Sequence, residues 1–313
     1  MNDANPQGGT WNDVLNEARV RGSTHDILRR DYLKHLHEVR KGRNIIIYYS
    51  GWLQKPFLVP NTQVNVGVHD GDKSGFMSAI KGMDTSKGLD LILHTPGGDM
   101  AATEALVDYL RAKFKTDICA FIPQLAMSAG TMIACACKEI WMGKQSSLGP
   151  TDPQVNGLPA TAIIEEFERA AAEIKADNSR ALLWQPILNK LQPSTLTQCA
   201  DVIEWSKELV RTWLATGMMA NKTNPVAAAE KAVRDLNDKS KNHSHGRHLS
   251  ADAAKSYGLN IKRLESDQEL QDAVLTLHHA CTITLEATMA YKIIENHKGV
   301  AFIQSVRQVA IAT

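Results

Sequence analysis

Two short segments of this 313-residue chain carry residue types that could act together in acyl transfer. The first, residues 95–99, reads TPGGD and follows a predicted strand. Its adjacent glycines, Gly97 and Gly98, can adopt positive φ angles and present unobstructed backbone N–H groups. Fixed N–H donors of this kind are what an oxyanion hole requires. The alternative interpretation is a tight turn between a strand and a helix.

The second segment, residues 127–130, reads MSAG and begins a predicted helix. Ser128 stands between small or flexible residues, so its Oγ could be exposed as a nucleophile near the positive end of the helix. The alternative is an ordinary helix N-cap. Both segments follow consecutive predicted strands, and one offers N–H groups while the other offers a hydroxyl. This pairing predicts a nucleophile beside oxyanion donors.

Short apolar strands would position these segments. Strand patterns cover residues 45–49, 89–93, 118–122 and 139–142, and helical patterns lie between them. Such alternation with short connections indicates an α/β fold with a largely parallel sheet and right-handed crossovers. In open α/β sheets, ligands bind at the edge where the strands end.

The remaining patterns are mostly helical. Helices are predicted over residues 11–41, 73–82, 131–137, 159–175, 197–218 and 267–296. Asn224 and Pro225 form a favourable N-cap and N1 pair for another helix. A last strand is predicted within residues 300–311.

The composition excludes several classes of protein. A hydrophobic fraction of 43% and a net charge of +1 do not fit a disordered chain or a dedicated nucleic-acid binder. Five cysteines without framework spacing fit a reducing compartment. The N-terminus lacks a signal-peptide pattern, and no apolar run is long enough to span a membrane. We therefore expect a soluble, cytoplasmic protein with no specific nucleic-acid binding.

Three segments together resemble the ClpP/crotonase superfamily, in particular the signal peptide peptidase A clan and its soluble serine dehydrogenase proteinase family. They read HTPGGDM, MSAGTMIACACKEIWMGKQSSLGPTDPQ and HGRHLSADAAKSYGL. The resemblance covers about residues 44–262 and rests on the order of the motifs. It implies a core of repeated ββα units and a serine endopeptidase acting on a peptide or protein substrate. It also implies a homo-oligomer, with the 197–218 helix and the helical termini as the expected interfaces.

The resemblance assigns roles to individual residues. Ser128 would be the nucleophile, and the Ala129 amide together with that of Gly97 or Gly98 would form the oxyanion hole. The segment of residues 246–259 would pack beside the site. No cofactor is implied. A metal site near His245 is conceivable because of neighbouring histidines, but no carboxylate or cysteine completes a recognisable spacing, so none is expected.

The general base is less clearly indicated. ClpP-like enzymes place a histidine where this chain has Asp152, which could orient a base or bind substrate. Signal peptide peptidases use a lysine several tens of residues after the serine, and Lys175 follows Ser128 by 47 residues. His245 lies near the place of the ClpP-like triad aspartate. The alternatives are therefore His245 as the base, Lys175 as the base, or no competent base. His94 is interpreted as a strand-end residue.

The predicted organisation has three parts. Residues 1–43 form an N-terminal helical arm, residues 44–265 the protease-like core, and residues 266–313 a C-terminal helical extension. Two other functions remain open: a catalytically silent or conditionally active scaffold in a larger complex with an unidentified partner, and crotonase-type chemistry on an acyl-CoA.

Overall fold

The structure is a computed structural model that describes residues 9–21, 24–58 and 64–306. In this part of the chain the strands are β1 (Asn44–Ser50), β2 (Leu89–His94), β3 (Ile118–Ile122), β4 (Leu125–Ala126), β5 (Glu139–Met142), β6 (Ser147–Leu148), β7 (Gln154–Val155), β8 (Leu158–Pro159), β9 (Ile261–Arg263), β10 (Ala290–Asn296) and β11 (Ala301–Ser305). The α-helices are α1 (Trp11–Arg21), α2 (His25–Val39), α3 (Asp70–Ile80), α4 (Met100–Phe114), α5 (Ala129–Cys135), α6 (Ala160–Ala176), α7 (Ala181–Leu188), α8 (Thr195–Thr216), α9 (Pro225–Asn237), α10 (Lys239–Asn242), α11 (Ala251–Ser256) and α12 (Gln268–Ala287).

A mostly parallel central sheet organises the fold, as the alternation of strands and helices predicted. Its strand order is β11-β10-β1-β2-β3-β5-β9. Within this sheet, β1, β2, β3, β5 and β9 are mutually parallel, whereas β10 runs antiparallel to both of its neighbours. The arrangement of the core as repeated ββα units remains a prediction.

Apolar side chains cover both faces of the sheet, because successive residues of a strand point to opposite faces. In β1, Tyr48 packs into a cluster with helices α3, α4 and α8, and Tyr49 packs into another with α1, α2 and α12. Every residue of β1 is buried. This explains why its sequence is a continuous apolar run rather than an alternating one.

The C-terminal part differs from its predicted helix. The helix ends at Ala287, and Ala290–Asn296 is a strand that pairs with β1. Its sequence includes adjacent isoleucines, which favour a strand, and β1 offers it an edge to pair with. The predicted strand at residues 300–311 is found at Ala301–Ser305, and residues 307–313 lie outside the described ones.

One further expectation is corrected. The helical stretch 11–41 is two helices, α1 and α2, with Thr24 at the N-cap position of the second. Helix α8 buries the apolar residues Leu209 and Trp213 in the core of its own chain, and its role as an interface remains a prediction. Among the described residues, no helix has both the length and the apolar character needed to cross a membrane.

Candidate active site

Ser128 lies at a sharp turn between β4 and α5. Its backbone has φ 49° and ψ −114°, a conformation that L-residues rarely adopt and that costs on the order of 1–3 kcal/mol. Hydrogen bonds hold the turn on both sides: Met127 N–H donates to Thr95 O at 3.0 Å, and Gly130 N–H donates to Met127 O at 2.8 Å. Ser128 occupies the N-cap position of α5, but its hydroxyl makes no capping hydrogen bond. The half-exposed Oγ is therefore left available for other chemistry.

The glycine turn lies directly against this serine. A Cβ atom added to Gly97 would come within 2.7 Å of Ser128 Cβ and 3.2 Å of Ala129 N. A Cβ added to Gly98 would come within 2.1 Å of Val68 N. Both glycines have positive φ angles, 105° and 155°. This turn therefore needs glycine at both positions, for conformation and for space.

Hydrogen bonds fix the peptide plane between Gly97 and Gly98. Val68 N–H donates to Gly97 O at 2.7 Å, and Asp99 N–H donates to Val68 O at 2.8 Å. Because N–H and C=O point to opposite sides of a trans peptide, Gly98 N–H points away from Val68. Gly97 N–H is engaged by Thr95 Oγ1 at 3.3 Å. Within the described ranges, neither Gly98 N–H nor Ala129 N–H has a hydrogen-bond acceptor.

Asp152 and His245, which are far apart in the sequence, form a pair in the structure. His245 Nδ1 lies 3.0 Å from Asp152 Oδ1, across 93 residues of sequence. Both side chains are mostly buried, with exposed fractions of 21% for His245 and 15% for Asp152. No local spacing signals this contact, because the two residues belong to different loops.

Backbone contacts position both of those loops. Ser206 Oγ on α8 donates to Thr151 O at 3.0 Å, which anchors the residue before Asp152. Leu249 pairs through its backbone with Leu148 of β6, which anchors the segment that follows His245. The loop at 149–153 and the loop at 243–248 thus reach the same end of the sheet as Ser128.

A cavity of about 490 Å³ joins these groups. Ser128, Gly98, Ala129 and His245 all line it. Its remaining wall includes apolar side chains from two helices, namely Met100, Val202 and Trp205, together with Met132. Trp205 therefore lies at the site. In the part of the chain that the structure describes, Ser128 Oγ makes no hydrogen bond, so His245 lies in the same cavity without a direct bond to it.

Lys175 is not brought to this cavity. It lies in the last turn of α6, where its side chain is exposed, and it is not among the lining residues. A lysine must be desolvated to act as a neutral base near neutral pH. The structure provides no such burial for Lys175.

His94 is buried at the end of β2, one residue before the glycine turn. Its ring packs against Trp52 and Tyr49, with centroids 4.5 Å and 5.3 Å away. Burial lowers the pKa of His94 to about 3, so its ring is neutral near neutral pH. It does not line the Ser128 cavity. Across residues 9–21, 24–58 and 64–306, no group of three or more His, Cys, Asp or Glu side chains is arranged to hold a metal ion.

Comparison with known proteins gives two kinds of match. A family model described as ClpP-like SDH-type serine proteinase matches residues 17–263. Uncharacterized protein MJ0137 of Methanocaldococcus jannaschii is 37% identical over 112 residues, and uncharacterized protein MJ1495 of the same organism is 38% identical over 104 residues. The matches cover 36% and 33% of this chain, and 38% and 35% of those relatives. No solved structure matches.

Proposed function

The chain belongs to the ClpP-like SDH-type serine proteinase family, and on this premise we propose that it hydrolyses peptide bonds with Ser128 as the nucleophile. His245 serves as the general base, and Asp152 orients it. The Gly98 and Ala129 N–H groups form the oxyanion hole.

The observation that carries this proposal is the contact between His245 and Asp152 in the cavity of Ser128. A carboxylate accepts hydrogen bonds, so Nδ1 of His245 bears the proton and donates a hydrogen bond to Asp152. Nε2 is then the nitrogen with a free lone pair, which can accept the hydroxyl proton of a serine. Asp152 stabilises the imidazolium that forms. Aspartate thus occupies the place of the ClpP-like histidine, and the histidine comes from the later loop.

The reaction proceeds in two halves. Ser128 Oγ attacks the substrate carbonyl carbon while His245 Nε2 takes its proton, and the carbonyl oxygen becomes an oxyanion facing Gly98 and Ala129. The C–N bond then breaks as His245 returns the proton to the leaving amine. Water attacks the resulting ester, His245 takes a proton from it, and the acid product leaves as the proton returns to Ser128 Oγ.

Gly98 is favoured over Gly97 as the first donor because of what their amides already bind. Gly97 N–H is held by Thr95 Oγ1 and Gly97 is buried, whereas Gly98 is exposed to the cavity. Ala129 N–H is at the first position of α5, where a backbone donor has no partner within its helix.

Labelling with a fluorophosphonate probe tests the proposal. We expect the wild-type protein to be labelled on Ser128, as located by peptide mass spectrometry, and Ser128→Ala to lose the label. Ser179→Ala, at an exposed serine outside the cavity, is the matched control and should be labelled normally. A label that persists in Ser128→Ala would contradict the assignment.

A second candidate function is favoured by one observation. Because Ser128 Oγ lacks a hydrogen bond to His245, the site could be completed only when substrate or a partner closes it. In that case the protein would be conditionally active. Labelling of the isolated protein that is slow, and accelerated by a peptide or by a binding partner, would support this candidate over constitutive activity.

We also propose that the protein acts in the cytoplasm as a homo-oligomer. The short helix α7 supports self-association, because Leu182 and Leu183 are 76% and 72% exposed there. Light scattering should give a mass of at least two chains, and Leu183→Glu should lower it. A monomeric wild-type protein would contradict this part of the proposal.

A further inference from the structure

A buried charged cluster lies behind the glycine turn and is not part of the proposed reaction. It consists of Tyr48 on β1, Asp72 on α3 and Lys292 on β10, whose exposed fractions are 0%, 1% and 0%. Charged groups are rarely buried to this extent unless they are paired, because their desolvation is costly. The three residues come from elements far apart in sequence, and β10 lies outside the residues that the family model matches.

The cluster is tightly bonded around the Asp72 carboxylate. Lys292 Nζ donates to both of its oxygens, at 2.9 Å and 3.0 Å, and the Tyr48 hydroxyl donates to Oδ2 at 2.7 Å. Burial, reinforced by the Asp72 charge, raises the pKa of Tyr48 well above its usual value. The Tyr48 hydroxyl therefore keeps its proton and remains a donor. His69 also binds this carboxylate, since its backbone N–H donates to Asp72 Oδ2 at 3.1 Å.

From Asp72, one line of contacts leads through Tyr48 to the near side of the glycine turn. The Thr95 side chain lies close enough to the Tyr48 hydroxyl to oppose part of this rise in its pKa as a hydrogen-bond donor. Thr95 Oγ1 in turn accepts from Gly97 N–H at 3.3 Å. The buried carboxylate is thus connected to the Gly97 amide through two hydroxyl groups.

A second line leads through Lys292 to the other side of the turn. Lys292 Nζ donates to Gly67 O at 2.6 Å, and Gly67 packs so closely on the turn that an added Cβ would lie 3.0 Å from Gly97 O. The next residue, Val68, donates its N–H to Gly97 O at 2.7 Å. The second line therefore ends on Gly97 O, in the peptide plane that directs Gly98 N–H. The first line reaches the same oxygen, because Thr95 Oγ1 also donates to Gly97 O at 3.5 Å.

We propose that Tyr48, Asp72 and Lys292 are positioning residues for the oxyanion hole, which they serve by fixing the Gly97–Gly98 peptide. The inference rests on the proposed function, because it presumes that Gly98 N–H stabilises an oxyanion. A misdirected donor loses its stabilisation of the transition state without closing the cavity. Loss of the cluster should therefore slow bond formation at Ser128 and leave binding in the cavity nearly unchanged.

Tyr48→Phe is the most direct test, because it removes one hydroxyl and keeps the ring. Its matched control is Tyr49→Phe on the opposite face of β1, where the equally buried hydroxyl lies 3.1 Å from His278 Nδ1. The measurement is the rate of fluorophosphonate labelling as a function of probe concentration, which separates the maximal rate from the apparent binding constant. We expect Tyr48→Phe to lower the maximal rate by roughly tenfold to a hundredfold, with a binding constant within about twofold of wild type. Tyr49→Phe should change neither.

A second pair of variants removes general destabilisation as an explanation. Thr95→Val deletes the hydroxyl that links Tyr48 to Gly97, whereas Thr95→Ser keeps it. We expect Thr95→Val to lower the maximal labelling rate and Thr95→Ser to restore most of it. Lys292→Met would remove the ammonium group from the buried Asp72 carboxylate, so it is compared with Lys298→Met, whose Nζ binds Gly82 O at 2.8 Å on the exposed side.

The outcomes separate this inference from the proposed function. A wild-type protein without a Ser128 adduct would overturn the proposed function and this inference with it. A Ser128 adduct that forms in Tyr48→Phe and Thr95→Val as fast as in wild type would overturn the inference alone. A reduced maximal rate in both, with Thr95→Ser and Tyr49→Phe near wild type, would support it.

Discussion

The two walls of the Ser128 cavity are built in different ways. On one wall, Ser128 and the glycine turn are held by backbone hydrogen bonds at the ends of parallel strands, over a buried charged cluster. On the other wall, His245 and Asp152 are side chains on two loops, joined by a single contact at 3.0 Å. The geometry of the first wall is set by the sheet. The second depends on how two loops are anchored.

The two walls therefore suit different steps of the proposed reaction. Charge stabilisation requires donors that do not reorganise during the reaction, which the sheet edge provides. Proton transfer requires a side chain that can reach both the nucleophile and the leaving group, and loops on a scaffold can provide it. Variants on the two walls should therefore differ in the size of their effects and in what they do to stability.

The largest effect is expected on the loop wall, from His245→Ala. Without a base, Ser128 is a weak nucleophile, so the rate of fluorophosphonate labelling should fall on the order of 10³-fold or more. Since the side chain is partly exposed, the melting temperature should change little. The control is Lys175→Met, which should be labelled within about twofold of wild type. A normal rate in His245→Ala, or a collapse in Lys175→Met, would reassign the base.

Asp152→Asn should have the next largest effect. The amide cannot stabilise the imidazolium and no longer fixes the tautomer of His245, so labelling should slow by about 10²- to 10⁴-fold. Burst kinetics with an activated ester would measure the same step independently. Were Asp152 only a substrate contact, the apparent binding constant would rise while the maximal rate stayed constant.

On the sheet wall, Gly98→Ala should cost about 10²-fold in labelling rate and also destabilise the fold, because the new Cβ would collide with Val68. Gly82→Ala provides the control, since Gly82 has φ 75° with no atom within 4 Å of an added Cβ. That variant should lose only about 1–2 kcal/mol from backbone strain and keep its labelling rate. Equal rates in the two variants would remove the argument for a close glycine turn.

The two walls also differ in how much the sequence reveals about them. Gly97, Gly98 and Ser128 belong to contiguous motifs beside predicted strands, so their types and order predicted that they would meet at one edge of the sheet. The contact between His245 and Asp152 had no such signal, because its residues are 93 positions apart on irregular loops. Whether Lys175 could act as a base depends on its burial, and burial is a property of the folded chain.

The strands of the fold likewise differ in how clearly the local sequence indicates them. Strands with continuous apolar runs, such as Ile118–Ile122, were predicted close to their bounds because burial on both faces leaves a clear pattern. The strand Ala290–Asn296 was read as part of a helix, since a short apolar run next to a helix has no distinctive period. Its pairing with β1 on one side and with β11 on the other determines its conformation. For the same reason, the burial of Lys292 on this strand could not be predicted from the sequence.

The smallest effect concerns stability in acid. Burial lowers the pKa of His94 to about 3, well below the value of about 6.5 expected in the unfolded chain. Above pH of about 6.5, His94 is neutral in both the folded and the unfolded chain, so it adds no pH dependence to stability. As the pH drops from there toward 3, the free energy of unfolding falls progressively, because only the unfolded chain takes up the proton. His94→Gln should show a shallower loss of its urea midpoint between pH 7 and pH 4. Parallel curves for the two proteins would show that His94 is not the responsible group.

The central claim is that the cavity assembles Ser128, His245 and two backbone amides around one reacting centre. A crystal structure of the fluorophosphonate adduct tests it most directly. We expect the phosphorus on Ser128 Oγ, a phosphoryl oxygen about 2.7–3.1 Å from the Gly98 and Ala129 N–H groups, and His245 Nε2 within about 3.2 Å of Oγ with Asp152 still on Nδ1. An adduct on another residue, or a phosphoryl oxygen directed away from both amides, would contradict the account.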